Sequence, residues 1–96
     1  MSGNQDTVTR KVSIVNERGL HARASAKFVN LVSTLGGDVA VEVEKSGQAV
    51  PGNSIMGLMM LGAARGSEIM IRVEGPDADR IADKLEGLVI DGFGED

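Results

Sequence analysis

Two segments that alternate strictly between apolar and polar residues constrain the fold of this chain most. In VAVEVE (residues 39–44) valine occupies every second position, and in SEIMIRVE (residues 67–74) Ile69, Ile71 and Val73 do the same. Strands with one apolar and one polar face are typical of an antiparallel sheet with one side in solvent. Helices must then cover the other side, which predicts a two-layer α+β sandwich.

The remaining segments complete the order of elements. VTRKVSIV (residues 8–15) alternates like a first strand, and a KSGQ turn leads into a short strand over residues 48–50. Helical spacing follows the first strand, with a predicted buried stripe of Ala22, Ala26, Val29 and Val32, broadened by Phe28, Leu31 and Leu35, and an end at Gly36-Gly37. A last helix is predicted to start near Pro76, to bury Ile81, Leu85, Leu88 and Val89, and to end at Gly92. The predicted order is β-α-β-β-α-β-α.

Composition limits the classes of function. The 96 residues are enough for one domain, predicted over residues 8–96 after a disordered extension at residues 1–7. With no cysteine and one histidine, we expect no disulfide, no metal site and no metal cofactor. A net charge of −4 argues against nucleic acid as a partner. Since there is neither a signal-peptide pattern nor an apolar run of membrane-spanning length, we expect a cytoplasmic protein without membrane insertion.

The single histidine lies in ERGLHARASAK (residues 17–27), where the first helix is predicted to begin. Free amides and the helix dipole make such a position an anion site, and the positive helix end favours the neutral ring of His21. A histidine that accepts a phosphoryl group would gain from those amides and from Arg23. Two alternatives stay open. His21 is either a cap without a function or a general base, for which Glu17 is the only orienting carboxylate nearby in the sequence.

The second predicted helix, in NSIMGLMMLG (residues 53–62), is apolar nearly all round. Ser54 is predicted to be its N-cap. We expect Leu58 and Leu61, with help from Met60, to enter the core, and Ile55, Met56 and Met59 to form an exposed docking surface. A wholly buried helix is the alternative. Gly57 inside the helix predicts the close approach of another backbone.

With GLHARASA and NSIMGLMMLGAARGSEI in the same chain, the sequence resembles HPr, the histidine-containing phosphocarrier of the bacterial phosphotransferase system. The resemblance covers residues 9–92. It implies an open-faced sandwich with a four-stranded antiparallel sheet and three helices on one face. It implies that His21 carries the phosphoryl group, that Arg23 contacts the phosphate, and that Ser54 is a regulatory serine modified by HPr kinase/phosphorylase.

The same resemblance implies partners and a docking surface. Enzyme I, charged by phosphoenolpyruvate, would donate the phosphoryl group, and IIA-type domains would accept it. Ile55, Met56 and Met59, with a contribution from Ala26, would form the docking surface. We expect a monomeric relay protein without a cofactor, not an enzyme that turns over a small-molecule substrate.

The sequence departs from the usual HPr pattern at two positions. Ala24 stands where most members have proline, and Asn53 stands where many have lysine before the serine, which weakens the expectation of regulation at Ser54. These departures and the DGFGED ending look more like the regulatory, nitrogen-type proteobacterial members. Two rival functions remain. One is a regulatory interaction module that docks through Ile55, Met56 and Met59, and the other is an acylphosphatase-like hydrolase, whose arginine-rich phosphate loop is not visible in this sequence.

Overall fold

The predicted order of elements is confirmed in a computed structural model, which describes residues 6–35 and 38–95. The elements are β1 (Asp6–Ser13), α1 (Ala22–Thr34), β2 (Ala40–Lys45), β3 (Gln48–Pro51), α2 (Ile55–Met60), β4 (Glu68–Gly75) and α3 (Ala78–Ile90), followed by a 3₁₀ turn at Gly92–Gly94. The chain forms an α+β open-faced sandwich. No helix within the two described ranges is both long and apolar enough to cross a bilayer.

The sheet has four strands in the order β1-β4-β2-β3, and every neighbouring pair is antiparallel. Alternation in β4 is confirmed, because Ile69, Ile71 and Val73 are all buried. The other face of the sheet is charged. There Arg72 of β4 pairs with Glu42 and Glu44 of β2. One face therefore packs under the helices and the other faces solvent.

The buried face of α1 differs from the predicted stripe. The buried residues are Ala24, Ser25, Phe28 and Val32, whereas Ala22 is exposed and Val29 is only half-buried. The larger side chains decide which face turns inward, since a buried Phe removes far more apolar surface from water than an alanine does. Phe28 is fully buried and orients the helix. As a result Ala24, the residue in the proline position, lies against the core.

Three boundaries differ from the prediction. Strand β1 begins at Asp6, so Asp6 and Thr7 belong to the sheet and not to a disordered extension; residues 1–5 lie outside the described residues. Helix α1 ends at Thr34 with Leu35 as its C-cap, and the predicted Gly36-Gly37 stop also lies outside the described residues. Helix α3 begins at Ala78, after Asp77 in the left-handed region at φ 60°.

Candidate functional site

The site begins with a tight turn between β1 and α1. Gly19 has φ +64°, and a Cβ atom there would lie 2.9 Å from the Cα of Ala64 and closer still to the carbonyl oxygen of Ala63. The next residue, Leu20, donates its backbone N–H to that carbonyl at 2.9 Å and is buried. Only glycine fits this close approach of two backbones. The turn therefore fixes the start of α1 against the loop after α2.

His21 is the N-cap of α1, with extended backbone angles of φ −75° and ψ −178°. Its carbonyl accepts the first helical hydrogen bond, from the N–H of Ser25 at 2.9 Å. Its Nδ1 atom accepts a long hydrogen bond of 3.3 Å from the backbone N–H of Arg23. Nδ1 therefore carries a lone pair that can act as a nucleophile. It also faces the free amides of the helix, which can stabilise an anionic group at this position.

The other ring nitrogen of His21 contacts a carboxylate that the sequence analysis missed. Nε2 lies 2.5 Å from Oε2 of Glu95, and the two side chains are 22% and 19% exposed. Asn16 donates from Nδ2 to Oε1 of Glu95 at 3.0 Å. This hydrogen bond, opposed by partial burial and reinforced by His21, holds the pKa of Glu95 below its ordinary value. The carboxylate that orients the ring of His21 is therefore Glu95. Glu17 had been considered only because it is close to His21 in the sequence.

Glu95 reaches the site through residues 92–95, which we call the GFGE turn. Three successive residues, Gly92, Phe93 and Gly94, have φ of 66°, 59° and 72°. The ring of Phe93 is fully buried in the core. Lys27 of α1 donates from Nζ to the carbonyl oxygen of Phe93 at 2.6 Å. The turn is therefore anchored both by a core side chain and by the first helix.

A shallow, open depression of about 320 Å³ lies between the helix start and the GFGE turn. It is lined by Glu17, Arg18, Arg23, Lys27, Gly94 and Glu95. Its three cations outnumber its two carboxylates, so the depression favours an anion. Arg23 is exposed here, which leaves its guanidinium able to turn toward an anion at the start of α1. In the described ranges no cluster of three or more histidine or acidic side chains is arranged to hold a metal ion.

Helix α2 presents the apolar surface expected from the sequence. Ser54 is its N-cap, and Oγ accepts from the N–H of Gly57 at 2.9 Å. Leu58 and Leu61 are buried as predicted, but Met60 is 68% exposed, so its predicted place in the core is wrong. The two leucines already occupy the space under this short helix. The exposed apolar residues, which we call the α2 patch, are Ile55, Met56, Met59 and Met60, at 41%, 71%, 44% and 68% exposure.

Two further positions were predicted from the same region. Gly57 does not meet another backbone. A Cβ there would lie 3.1 Å from Oγ of Ser54 and 3.2 Å from Cβ of Val50, so the glycine makes room for the cap and for β3. Ala26, the expected contributor to docking, is half-buried on α1. Helix α1 packs against α2, which brings the histidine helix and the α2 patch to neighbouring parts of one side of the sheet.

Comparison with known proteins identifies the family. Residues 8–91 match the family model described as the PTS HPr component phosphorylation site. The chain is 41% identical to the phosphocarrier protein HPr of Cupriavidus necator over 86 residues, which cover 90% of this chain and 94% of that protein. It is 42% identical to HPr of Neisseria meningitidis over the same shares of the two chains.

Solved structures agree. A crystal structure of HPr from Thermoanaerobacter tengcongensis superimposes with a TM-score of 0.85 at 35% identity, over 93% of this chain and 98% of that one. HPr from Bacillus anthracis superimposes with a TM-score of 0.79 at 35% identity, over 86% and 96% of the two chains. The family match spans the sheet, residues 19–24 around His21, which we call the histidine turn, and the α2 patch. The chain therefore belongs to the HPr family of phosphocarrier proteins of the phosphotransferase system.

Proposed function

We propose that this protein is a phosphoryl relay that accepts the group on Nδ1 of His21 from enzyme I and passes it to IIA-type domains. The observation that carries the proposal is the position of His21. It is the N-cap of α1, and Nδ1 faces the helix amides beside the cationic depression. The proposal includes a monomeric state and a cytoplasmic location.

Positioning and charge stabilisation are what a protein supplies in a phosphoryl transfer, because the transition state is loose. Charge on the phosphoryl oxygens would develop where the N–H of Arg23 and the guanidinium of Arg23 can both donate. The helix dipole and the other free amides at the start of α1 add to this stabilisation of charge. Arg18 and Lys27, which line the depression, are further positive charges nearby. The site is open to solvent and to a partner, as a carrier that must accept and release the same group requires.

Transfer to His21 is tested by incubating the protein with enzyme I and phosphoenolpyruvate. We expect a mass gain of one phosphoryl group in an adduct that is labile in acid and stable in base. His21→Ala should abolish the adduct, and Ser54→Ala, which removes the other proposed phosphorylation site, should leave it intact. An adduct that persists in His21→Ala would refute the assignment.

The α2 patch supports docking of enzyme I and of IIA-type domains as part of the same proposal. Exposed methionines on a short helix suit a surface that binds several partners, because the flexible thioether adapts to different shapes. Met56→Glu should weaken the binding of both partners, since Met56 is 71% exposed and would carry a charge into each interface. The control is Ala40→Glu on β2, where an exposed apolar residue lies on the solvent face of the sheet, opposite the helices.

Modification of Ser54 by an HPr kinase is a further part of the proposal. Ser54 caps α2, and its hydroxyl oxygen already accepts from the N–H of Gly57. A phosphate there would add nearly two negative charges beside the α2 patch and would disfavour an acidic or desolvating partner. Incubation with an HPr kinase and ATP tests this. Phosphate should appear on the wild type and on His21→Ala, and not on Ser54→Ala.

A second candidate function is a regulatory interaction module, which the exposure of the α2 patch favours. In that function the patch binds regulators, and phosphorylation of His21 is only a switch. His21→Ala then spares regulator binding, whereas Met56→Glu abolishes it. If a relay is the main role, His21→Ala removes phosphoryl transfer to the IIA-type acceptor even where its docking is intact.

A further inference from the structure

We propose that Glu95, held by Asn16, is a positioning residue that keeps the ring proton of His21 on Nε2. Nδ1 is thereby left as the atom that takes and releases the phosphoryl group. This inference rests on the proposed relay function, but its first measurement is made on the unphosphorylated protein.

The two hydrogen bonds of the imidazole ring select the same tautomer. A carboxylate only accepts, so the 2.5 Å contact with Oε2 of Glu95 requires the proton on Nε2. A backbone N–H only donates, so the 3.3 Å contact from Arg23 requires a lone pair on Nδ1. The shorter of the two bonds involves a charged acceptor and is the stronger one. Glu95 therefore dominates the choice of tautomer.

Glu95 is itself fixed in place by a buried amide. Asn16 is 5% exposed and donates from Nδ2 to Glu95 at 3.0 Å and to the carbonyl oxygen of Gly19 at 2.9 Å. Both partners are acceptors, so the amide cannot be reversed. Among the described residues, Oδ1 of Asn16 is buried without a hydrogen-bond partner. A buried unpaired oxygen is unfavourable. The arrangement is explained if both amide protons are needed to hold the carboxylate and the histidine turn together.

The backbone that carries Glu95 is equally specific. Phe93 is a fully buried non-glycine residue at φ 59°, which persists only where the surroundings determine it. Lys27 anchors its carbonyl oxygen to α1. Five charged side chains line the depression beside the ring, and among them only that of Glu95 is hydrogen-bonded to the ring. A carboxylate carried by an anchored turn is suited to hold one geometry through repeated turnovers.

The chemistry of transfer explains why the proton on Nε2 matters. The Nδ1 lone pair forms the N–P bond as the bond from phosphorus to the donor breaks and its electron pair leaves with the donor. The ring then carries a positive charge, because Nε2 keeps its proton, and the Glu95 carboxylate neutralises it. On transfer to the acceptor the N–P bond breaks, its electron pair returns to Nδ1, and the ring departs as neutral imidazole. Without the Nε2 proton it would depart as an imidazolate anion, a much poorer leaving group.

The test uses the single histidine of the chain, whose ring nitrogens give an unambiguous ¹⁵N spectrum. Wild-type protein should show a protonated Nε2 and an unprotonated Nδ1. Glu95→Ala should show a mixture of the two tautomers. Glu95→Gln should lose the neutralising charge and hold the tautomer less firmly, because Nε2 of His21 and Nδ2 of Asn16 donate to different oxygens of Glu95 and one of these becomes an NH₂ group. Asp91→Asn, an exposed acid four residues earlier, is the matched control and should behave like wild type.

Transfer rates complete the test. Onward transfer from phosphorylated Glu95→Ala should be slower by roughly 10- to 100-fold, because without the carboxylate the ring no longer holds the Nε2 proton that makes it a good leaving group. The apparent affinity for enzyme I should not change, which separates positioning from a folding or docking defect. If Glu95→Ala shows the wild-type tautomer and the wild-type transfer rate, the inference is wrong and Glu95 only stabilises the GFGE turn. If the wild-type protein does not accept a phosphoryl group from enzyme I, the proposed relay function is wrong. The tautomer measurement remains valid in that case, because it is made on the unphosphorylated protein.

Discussion

Lys27 Nζ lies 2.6 Å from the backbone carbonyl oxygen of Phe93, and this hydrogen bond ties α1 to the GFGE turn. The two residues are 66 positions apart, so the contact forms only when the fold is complete. It is charge-assisted and partly sheltered from water, which makes it stronger than an exposed ion pair. Lys27 therefore links the helix that begins at His21 to the turn that carries Glu95.

Lys27→Met should loosen the GFGE turn without unfolding the domain, because methionine keeps most of the aliphatic stem and removes only the donor. Backbone amides of Gly94 and Glu95 should exchange faster with solvent, as measured by hydrogen exchange. Lys84→Met on α3, where the lysine is also exposed, serves as the control and should leave those amides protected. Unchanged protection in Lys27→Met would mean that the Phe93 ring alone anchors the turn.

Acid should release the same turn. The hydrogen bond from Asn16, followed by the contacts with His21, lowers the pKa of Glu95 in the folded protein. Because the pKa of Glu95 is lower in the folded protein, its carboxylate contributes stability at pH values above the unfolded pKa of about 4.3. This contribution is lost as the pH falls through the folded pKa. In a pH series of unfolding midpoints, wild type and Glu95→Gln should differ above pH ~4.3 and converge in stronger acid. A constant difference throughout would contradict this linkage.

Much of the fold was predictable because its signals are local. Alternation places Ile69, Ile71 and Val73 on one face of β4, and all three are buried. Ser54 was identified as the cap of α2 from residue type and position, and its oxygen does accept from the N–H three residues later. The position of His21 at the start of α1 was equally local. Patterns of three to eight neighbouring residues therefore sufficed for the order of the elements and for the starts of α1 and α2.

What the sequence did not predict depends on tertiary contacts. Glu95 was missed because it reaches His21 only through the GFGE turn, in which Phe93 adopts a left-handed conformation that its residue type disfavours. Met60 was misplaced because a helix of six residues with apolar side chains all round does not define its own buried face. The face was decided by Leu58 and Leu61, which fill the available core. The buried face of α1 was predicted wrongly for a similar reason, because small alanine side chains do not determine which face of a helix turns toward the core.

Two glycines with the same φ angle allow the cost of a left-handed backbone to be measured apart from the cost of a steric clash. Gly19 and Gly62 have φ of +64° and +65°, but a Cβ at Gly62 would meet nothing within 4 Å, whereas at Gly19 it would collide with Ala63 and Ala64. Gly62→Ala should cost about 1–2 kcal/mol, the left-handed penalty for an L-residue. Gly19→Ala should cost distinctly more in chemical denaturation and should shift the resonances of His21. Equal costs would show that the loop after α2 yields freely.

Ser54 allows its capping role to be measured apart from any modification. Ser54→Ala removes the acceptor for the N–H of Gly57 and should lower the free energy of unfolding by about 1 kcal/mol. Ser54→Asp keeps a capping oxygen and adds a favourable charge at the helix start, so it should be close to wild type. Both values come from chemical denaturation. Should Ser54→Ala prove neutral, the cap hydrogen bond does not contribute to stability in solution.

Ala24 is the residue of the histidine turn that departs from the usual HPr pattern. It is fully buried in the first turn of α1, and within the described residues its backbone N–H has no acceptor. We expect a free amide at this point to be an extra donor for the phosphate that we propose on Nδ1 of His21. Proline at Ala24 would remove that donor while restricting the unfolded chain.

Ala24→Pro should therefore act in opposite directions on two measurements. Fewer unfolded conformations should raise the free energy of unfolding by about 0.4–1 kcal/mol. Loss of one amide donor should shift the phosphoryl exchange equilibrium with enzyme I away from the phosphorylated carrier by roughly 2- to 10-fold. Denaturation and quantification of phosphorylated protein at equilibrium measure the two effects. A variant that is more stable but equally phosphorylated would show that the Ala24 amide does not reach the phosphate.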